Sequence, residues 1–192
     1  MNNRKILLVG VGGQGTILAS KIISWIGLAE GKDVKMSEIH GMAQRGGTVT
    51  TQIVIADKVY SPVIDPGEAD TLISFELLEA KRSLHFLAKD GMLIVNDQRL
   101  MPMSVSIGAA SYPEEIMSTL QEHTSNIRLI AATGEAIALG NPRVANVVLL
   151  GALKTMWQDI SSDIWDKALV ANIPERFIEI NRQAFAAGAK LA

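Results

Sequence analysis

The chain contains no cysteine, and this absence removes several kinds of chemistry at once. Without thiols it can form no disulfide bond and can offer no thiolate ligand to zinc or to an iron–sulfur cluster. Its three histidines, His40, His85 and His123, are too widely spaced to suggest a metal site. We therefore expect no metal site in this chain, and any redox metal that its function needs should be held by another chain.

The chain also has little net charge. It carries 18 Lys and Arg against 20 Asp and Glu, which gives a formal net charge of −2. Binding that relies on nucleic-acid phosphates needs a basic surface, so we expect no nucleic-acid partner. No apolar run approaches the roughly 18 residues of a membrane span, and the first residues lead directly into a strand pattern. We therefore expect a cytoplasmic protein that has no membrane partner.

Hydrophobic residues make up 48% of the 192 residues, which is enough to bury a core. This length favours a single domain over residues 1–192. Apolar runs of strand length alternate with helical patterns, as in a parallel sheet that is covered by helices. We predict an α/β protein with a Rossmann-like three-layer fold, a mostly parallel sheet and one β-hairpin.

The same patterns give approximate bounds for the elements. Predicted strands cover residues 5–10, 33–39, 48–56, 71–75, 92–95, 104–107 and 128–131. Predicted helices cover residues 14–30, 76–88, 113–122 and 144–157, with a last helix from Pro174 to Gly188. Asp57-Lys58 predicts a hairpin turn between residues 48–56 and Val59-Tyr60, and Asp90-Gly91 predicts a turn before the strand at 92–95.

The first motif is a glycine-rich turn, Lys5-Ile-Leu-Leu-Val-Gly10-Val-Gly-Gly-Gln-Gly15, which follows a strand and opens a helix. Such a turn can bring backbone N–H groups and a helix N-terminus close to an anion. It can also be no more than a tight connection between strand and helix. We take its members as candidate cofactor-binding residues: Gly10, Gly12, Gly13, Gln14 and Gly15.

Glu38 lies roughly 20 residues past these glycines, where dinucleotide-binding folds place a carboxylate for the ribose hydroxyls. We include it among the candidate cofactor-binding residues. Its position alone suggests NAD, and a stand-alone NAD(P)- or flavin-binding oxidoreductase is therefore one alternative function. However, nothing downstream offers an obvious substrate-binding half with its own acid or base. A nucleotide-sensing module without catalysis is the other alternative.

The second motif follows at once, in His40-Gly-Met-Ala-Gln-Arg-Gly-Gly47. An ordinary connection needs only a short turn, so a loop this rich in glycine favours contact with a ligand or a partner. Its candidates for a functional cleft are His40, Gln44 and Arg45, and its remaining loop candidates are Gly41, Met42, Gly46 and Gly47. The guanidinium of Arg45 suits a carboxylate or a phosphate. His40 could equally be a surface or packing histidine, and Glu76 either a helix-capping carboxylate or a ligand.

Two further segments complete a family resemblance: Ala69-Asp-Thr-Leu-Ile-Ser-Phe-Glu76 and Asn146-Val-Val-Leu-Leu-Gly-Ala152. With the two glycine motifs, they make the chain resemble the gamma module of thiamine-diphosphate-dependent 2-oxoacid:ferredoxin oxidoreductases over almost its whole length. The His-Gly-Met-Ala-Gln-Arg-Gly-Gly loop is most similar to that of the indolepyruvate branch, in which this module is a separate beta subunit.

This resemblance implies that the chain is one subunit of an enzyme and is inactive alone. Thiamine diphosphate, magnesium and the iron–sulfur clusters would then belong to a large alpha subunit, with coenzyme A as co-substrate and ferredoxin as electron acceptor. The implied reaction is the oxidative decarboxylation of an aryl pyruvate to an acyl-CoA. The glycine turn would hold a coenzyme A phosphate or a structural anion. The loop from His40 to Gly47 would close the catalytic cleft against the alpha subunit.

Overall fold

The computed structural model describes residues 1–41 and 47–192. Its strands form one sheet in the order β2-β3-β1-β4-β5-β6. The strands are β1 (Arg4–Val11), β2 (Asp33–His40), β3 (Thr48–Ala56), β4 (Ala69–Ser74), β5 (Leu87–Asn96) and β6 (Ile127–Ile130). The helices are α1 (Thr16–Ala29), α2 (Leu77–Ser83), α3 (Met103–Ser106), α4 (Ile116–His123), α5 (Ala132–Ala138), α6 (Ala145–Met156), α7 (Ser162–Asn172) and α8 (Ile178–Leu191).

The sheet is mostly parallel. β1, β4, β5 and β6 run in the same direction, since each neighbouring pair among them is parallel. β3 is antiparallel to both of its neighbours, β1 and β2, so β2 runs in the same direction as β1. The prediction of an α/β fold with a mostly parallel sheet is confirmed.

Alternate residues of β1 enter two separate cores, one on each face of the sheet. Ile6 and Leu8 face a core that includes α1, α6 and α7, whereas Leu7 and Val9 face one that includes α2 and α4. All four side chains are fully buried. This alternation is the two-residue period of a strand whose faces are both covered, and it produces the predicted three layers.

The hairpin prediction was right in kind but wrong in place. The antiparallel hairpin pairs β2 with β3, so its connection is the second glycine motif and not Asp57-Lys58. Val59 belongs to no strand, and its N–H donates to Asp33 Oδ2 at 2.9 Å instead of to a strand partner. A side chain at the start of β2 therefore fixes the chain that leaves β3.

Two further predictions were wrong for local reasons. Residues 104–107 form no strand, because the chain after Pro102 bends into α3, where the N–H groups of Val105 and Ser106 both bond to Pro102 O at 3.0 Å. Asp90-Gly91 lies within β5 and makes no turn before it; the pairing of β5 with β4 shifts register near this point. Local hydrogen bonds thus form a helix where a strand was expected, and β5 continues through the expected turn.

The end of the last helix was also misplaced. Gly188 lies inside α8, which continues to Leu191. A Cβ atom on Gly188 would lie 1.8 Å from Val148 O, so this glycine permits contact between helix backbones. The sequence did not predict α5 or α7, although Ser161 caps α7 by accepting from Ile164 N at 3.3 Å.

Across residues 1–41 and 47–192, no helix has the length and hydropathy that crossing a membrane requires.

Candidate functional site

The two glycine motifs lie at the same edge of the sheet, at the carboxyl ends of β1 and β2. Gly10 of β1 and His40 of β2 are both paired with Val49 of β3, one on each side. This places His40 level with the glycine turn, with a single strand between them. The carboxyl ends of parallel strands are where open α/β sheets bind their ligands.

Backbone hydrogen bonds join the motifs to each other. Gly12 N donates to Gly47 O at 3.0 Å, and Gly41 N donates to Thr48 O at 3.2 Å. The start of β3 therefore holds the glycine turn on one side and the end of β2 on the other. Met42, Gln44, Arg45 and Gly46 lie outside the described residues, so their predicted roles stay predictions.

The side chain of Gln14 fills the glycine turn. Its Oε1 accepts from Val11 N at 2.7 Å, while Gln14 N donates to Val11 O at 3.2 Å. A Cβ atom on Gly10 would lie 2.7 Å from Gln14 Oε1, so only glycine leaves room for this arrangement. Because the N–H groups of Val11, Gly12 and Gln14 already have acceptors within the protein, an anion at this turn would meet Gly13 and the first turn of α1.

Asn146 fixes the other end of the turn. Its Nδ2 donates to Gly15 O at 3.1 Å, and its side chain is buried. Gly15 has φ +83°, and a Cβ atom there would lie 2.5 Å from Asn146 Nδ2. Asn146 thus links the first turn of α6 to the start of α1, a contact that spans 131 positions of the chain. The segment that begins at Asn146 is part of the family resemblance, but sequence spacing could not show what Asn146 contacts.

Next to the turn lies a cavity of about 200 Å³. Side chains and backbone from the ends of β1, β4, β5 and β6 line it, together with the segment that opens α6. The lining residues are Gly13, Gln14, Phe75, Asn96, Gln98, Thr133, Pro142, Arg143, Ala145 and Leu149. Arg143 alone among these carries a charge, and it is exposed.

A network of neutral side chains forms one wall of this cavity. Gln98 Oε1 accepts from Gln14 Nε2 at 3.2 Å, from Asn96 Nδ2 at 3.2 Å and from Thr133 Oγ1 at 3.1 Å. Gln14 Nε2 and Asn96 Nδ2 also donate to Phe75 O, at 3.0 and 3.1 Å. None of these side chains titrates near neutral pH, so the wall is suited to positioning a ligand and not to proton transfer.

Sequence reasoning missed most of this network. Asn96, Gln98, Thr133 and Arg143 were not among the predicted site residues, whereas Gln14 was. The available signal was the run of polar residues directly after the apolar segment of β5, since side chains that follow parallel strands meet at one edge.

Glu76 caps the N-terminus of α2 just after β4. Its carboxylate accepts from Glu79 N at 2.6 Å, and the residue is only 1% exposed. This burial raises the pKa of Glu76, and the nearby charge of Glu79 raises it further. The contacts of Glu76 support the helix-capping interpretation.

Glu38 does not stand where a dinucleotide fold would place its ribose-binding carboxylate. In such folds the strand that carries this carboxylate lies next to β1. Here β3 separates β2 from β1, and Glu38 is paired with Thr51 of β3. Two strand spacings amount to about 10 Å. The geometry therefore gives the NAD alternative no support, and a cofactor-binding role for Glu38 stays a prediction.

Metal-ligating side chains do not gather elsewhere in the part of the chain that the structure describes. Over residues 1–41 and 47–192, no three Asp, Glu or His side chains lie close enough together to hold an ion. The edge thus combines neutral hydrogen-bonding side chains, glycine backbone and one arginine. The described side chains of this Rossmann-like module are therefore suited to hydrogen bonding with a ligand.

Comparison with known proteins identifies the family to which this module belongs. Residues 5–191 match the family model described as pyruvate ferredoxin/flavodoxin oxidoreductase. The chain belongs to that family, and the resemblance inferred from its motifs is confirmed.

Similar proteins match along nearly their whole length. The indolepyruvate oxidoreductase subunit IorB of Pyrococcus horikoshii is 36% identical, covering 100% of this chain and 97% of that protein. The protein of the same name from Methanothermobacter thermautotrophicus is 39% identical, with 97% and 96% covered. The 2-oxoglutarate synthase subunit KorC of Methanocaldococcus jannaschii is 27% identical, with 98% and 94% covered.

Two solved structures share the fold. The gamma subunit of a keto/oxoacid ferredoxin oxidoreductase from Geobacter sulfurreducens is 25% identical, with a TM-score of 0.72 and 98% of each chain covered. The 2-oxoglutarate:ferredoxin oxidoreductase of Magnetococcus marinus, with 2-oxoglutarate, coenzyme A and succinyl-CoA bound, is 20% identical with a TM-score of 0.73. That match covers 100% of this chain but 31% of the other.

Proposed function

We propose that the chain is the small subunit of an indolepyruvate:ferredoxin oxidoreductase. The observation that carries this proposal is the higher identity to indolepyruvate oxidoreductase subunits than to the 2-oxoglutarate synthase subunit, at nearly full length in both cases. In the proposed reaction an aryl pyruvate is oxidatively decarboxylated to an acyl-CoA, and ferredoxin takes up the electrons. The complex would work in the cytoplasm.

The redox groups would belong to the partner of this chain, a large alpha subunit. Thiamine diphosphate with its magnesium supplies the electron sink when bound, and iron–sulfur clusters carry the electrons onward. This chain has no cysteine for a cluster, which fits a division of labour between subunits. Its own contribution would be to position coenzyme A and to exclude water from the shared cleft.

The cavity at the carboxyl ends of the parallel strands has groups that are suited to positioning coenzyme A. Arg143 offers a charge for a phosphate, and Gly13 has a backbone with φ +99° at the rim of the same cavity. Gln98 adds an amide that can hold a carbonyl or an amide of the ligand. A cavity of about 200 Å³ is below the usual size of a complete small-molecule site, so it would take one part of coenzyme A.

The predicted residues of the glycine motifs would line the rest of this cleft. His40 is exposed at the end of β2, and Gly41 and Gly47 are tied to the strands beside it. We propose that Gln44 and Arg45, with Met42 and Gly46 around them, complete the loop that closes the cleft against the alpha subunit.

Substrate preference of the assembled enzyme tests this function. The chain and the large subunit are expressed together, and ferredoxin reduction is measured with indolepyruvate, pyruvate and 2-oxoglutarate, each with and without coenzyme A. We expect the highest kcat/KM with indolepyruvate and a requirement for coenzyme A. A preference for 2-oxoglutarate or pyruvate would refute the substrate assignment, and reduction of NAD by the isolated chain would refute the role as a subunit.

A further inference from the structure

Residues 100–113 contain no charged residue, although none of them is buried and 20% of the chain is charged. They follow the carboxyl end of β5 and include α3. Five larger apolar side chains lie in this segment and belong to neither hydrophobic core: Leu100, Met101, Met103, Val105 and Ile107. Met103 is 75% exposed and Ile107 69% exposed, and no residue of α3 is buried.

The segment is held in shape by its own backbone. Ile107 N bonds to Met103 O at 3.0 Å, and Ala109 N and Ala110 N both bond to Ser104 O, at 2.8 and 3.0 Å. Gly108, with φ +76°, lets the chain reverse after α3. These bonds hold exposed methionine and isoleucine side chains on an ordered turn, which lowers the entropy lost when a partner covers them.

The position of the segment connects it to the candidate cleft. Gln98, which lines the cavity, precedes the segment by two residues and accepts from Leu77 N at 2.9 Å through its backbone. At the far end, Tyr112 packs against the core that includes α2 and α4. The uncharged surface therefore stands beside the edge where the proposed function needs redox groups from another chain.

From these observations we infer that residues 100–113 are a docking surface for the large subunit of the oxidoreductase. This inference rests on the proposed function. Its support is that surfaces buried at interface centres are depleted of charge and enriched in methionine, as this segment is. The match to the longer Magnetococcus marinus chain covers 31% of it, so that protein carries this fold and further parts in one polypeptide.

Paired charge substitutions test the surface. Met103→Glu/Ile107→Glu places two carboxylates on the inferred surface, and Tyr60→Glu/Val63→Glu is the matched control. Tyr60 is 88% exposed and Val63 58% exposed. They lie in the segment that leaves β3 and returns to its middle, where Ile64 N donates to Gln52 Oε1 at 2.6 Å. β1 and β4 separate β3 from β5, which residues 100–113 follow. Binding of each variant to the purified large subunit is measured by calorimetry, beside melting of each chain alone.

We expect the first variant to bind about a hundredfold more weakly, as loss of two central contacts would cause, and the control to bind within about threefold of wild type. The uncharged pair Met103→Ser/Ile107→Ser should show a smaller loss in the same direction. Unchanged melting of all variants would show that the fold is intact.

The outcomes separate this inference from the function on which it rests. If the wild-type chain does not bind the large subunit, the proposed function fails. If it binds and Met103→Glu/Ile107→Glu binds equally well, the docking surface lies elsewhere. An equal loss in the control would also overturn the inference, as would a self-associating wild-type chain that the variant turns into a monomer with normal binding to the large subunit.

Discussion

Replacing Gly151 with alanine should destabilise the protein, although alanine is the better helix former. Gly151 lies inside α6, and a Cβ atom there would meet Phe185 O of α8 at 2.0 Å and Phe185 C at 2.9 Å. These are backbone atoms of a packed helix, so the whole helix must shift to make room. Such overpacking costs about 3 kcal/mol or more, and the gain in helix propensity returns about 1 kcal/mol.

We therefore expect Gly151→Ala to lower the free energy of unfolding by roughly 2 kcal/mol, or about 4 to 8 °C in Tm for a chain of this size. Gly134→Ala is the control, because Gly134 lies inside α5 with no atom within 4 Å of the added Cβ. It should raise stability by about 0.5 to 1 kcal/mol. Urea unfolding followed by circular dichroism measures both variants. If Gly151→Ala is as stable as wild type, the close contact between α6 and α8 is not real.

Three further predictions follow from the site. Gly15→Ala should lower the Tm more than Gly13→Ala. Both glycines have positive φ, but only a Cβ atom on Gly15 would meet another residue, lying 2.5 Å from Asn146 Nδ2. Equal losses of Tm would contradict this. Arg143→Ala should raise the KM for coenzyme A about tenfold in the complex with no change in melting, since the side chain is exposed, and an unchanged KM would remove Arg143 from the site. Burial raises the pKa of Glu76, so wild type should lose stability as pH rises from the usual pKa of a glutamate through this raised pKa. The Tm of Glu76→Gln relative to that of wild type should therefore increase over this window, and a constant difference would refute the shift.

The parts of the fold that local pattern determines could be predicted from the sequence. β1, α1 and α6 were found near their observed bounds because each has a long apolar pattern of one period. Residues 104–107 alternate polar and apolar over too short a stretch to separate a strand from one helical turn. Gly188 was misread because a glycine can end a helix or permit a close contact, and only the neighbouring helix decides between them.

The candidate site could be predicted only in part, since it depends on contacts between distant residues. The strand-turn-helix pattern identified the glycine turn. No local pattern predicts that β3 lies between β1 and β2, because strand pairing depends on residues far apart in the sequence. That insertion moves Glu38 away from the turn and brings Gly47 to Gly12. The network of Asn96, Gln98 and Thr133 likewise forms only when the ends of β5 and β6 meet.

Reconstitution of activity tests the central claim most directly. The purified chain is titrated into a fixed amount of the separately purified large subunit, and ferredoxin reduction by indolepyruvate and coenzyme A is followed. If the chain is a subunit that completes the cleft, neither component alone is active, and activity rises with added chain until it saturates. Full activity of the large subunit alone, or no activity at any ratio although the two proteins bind, would contradict the account.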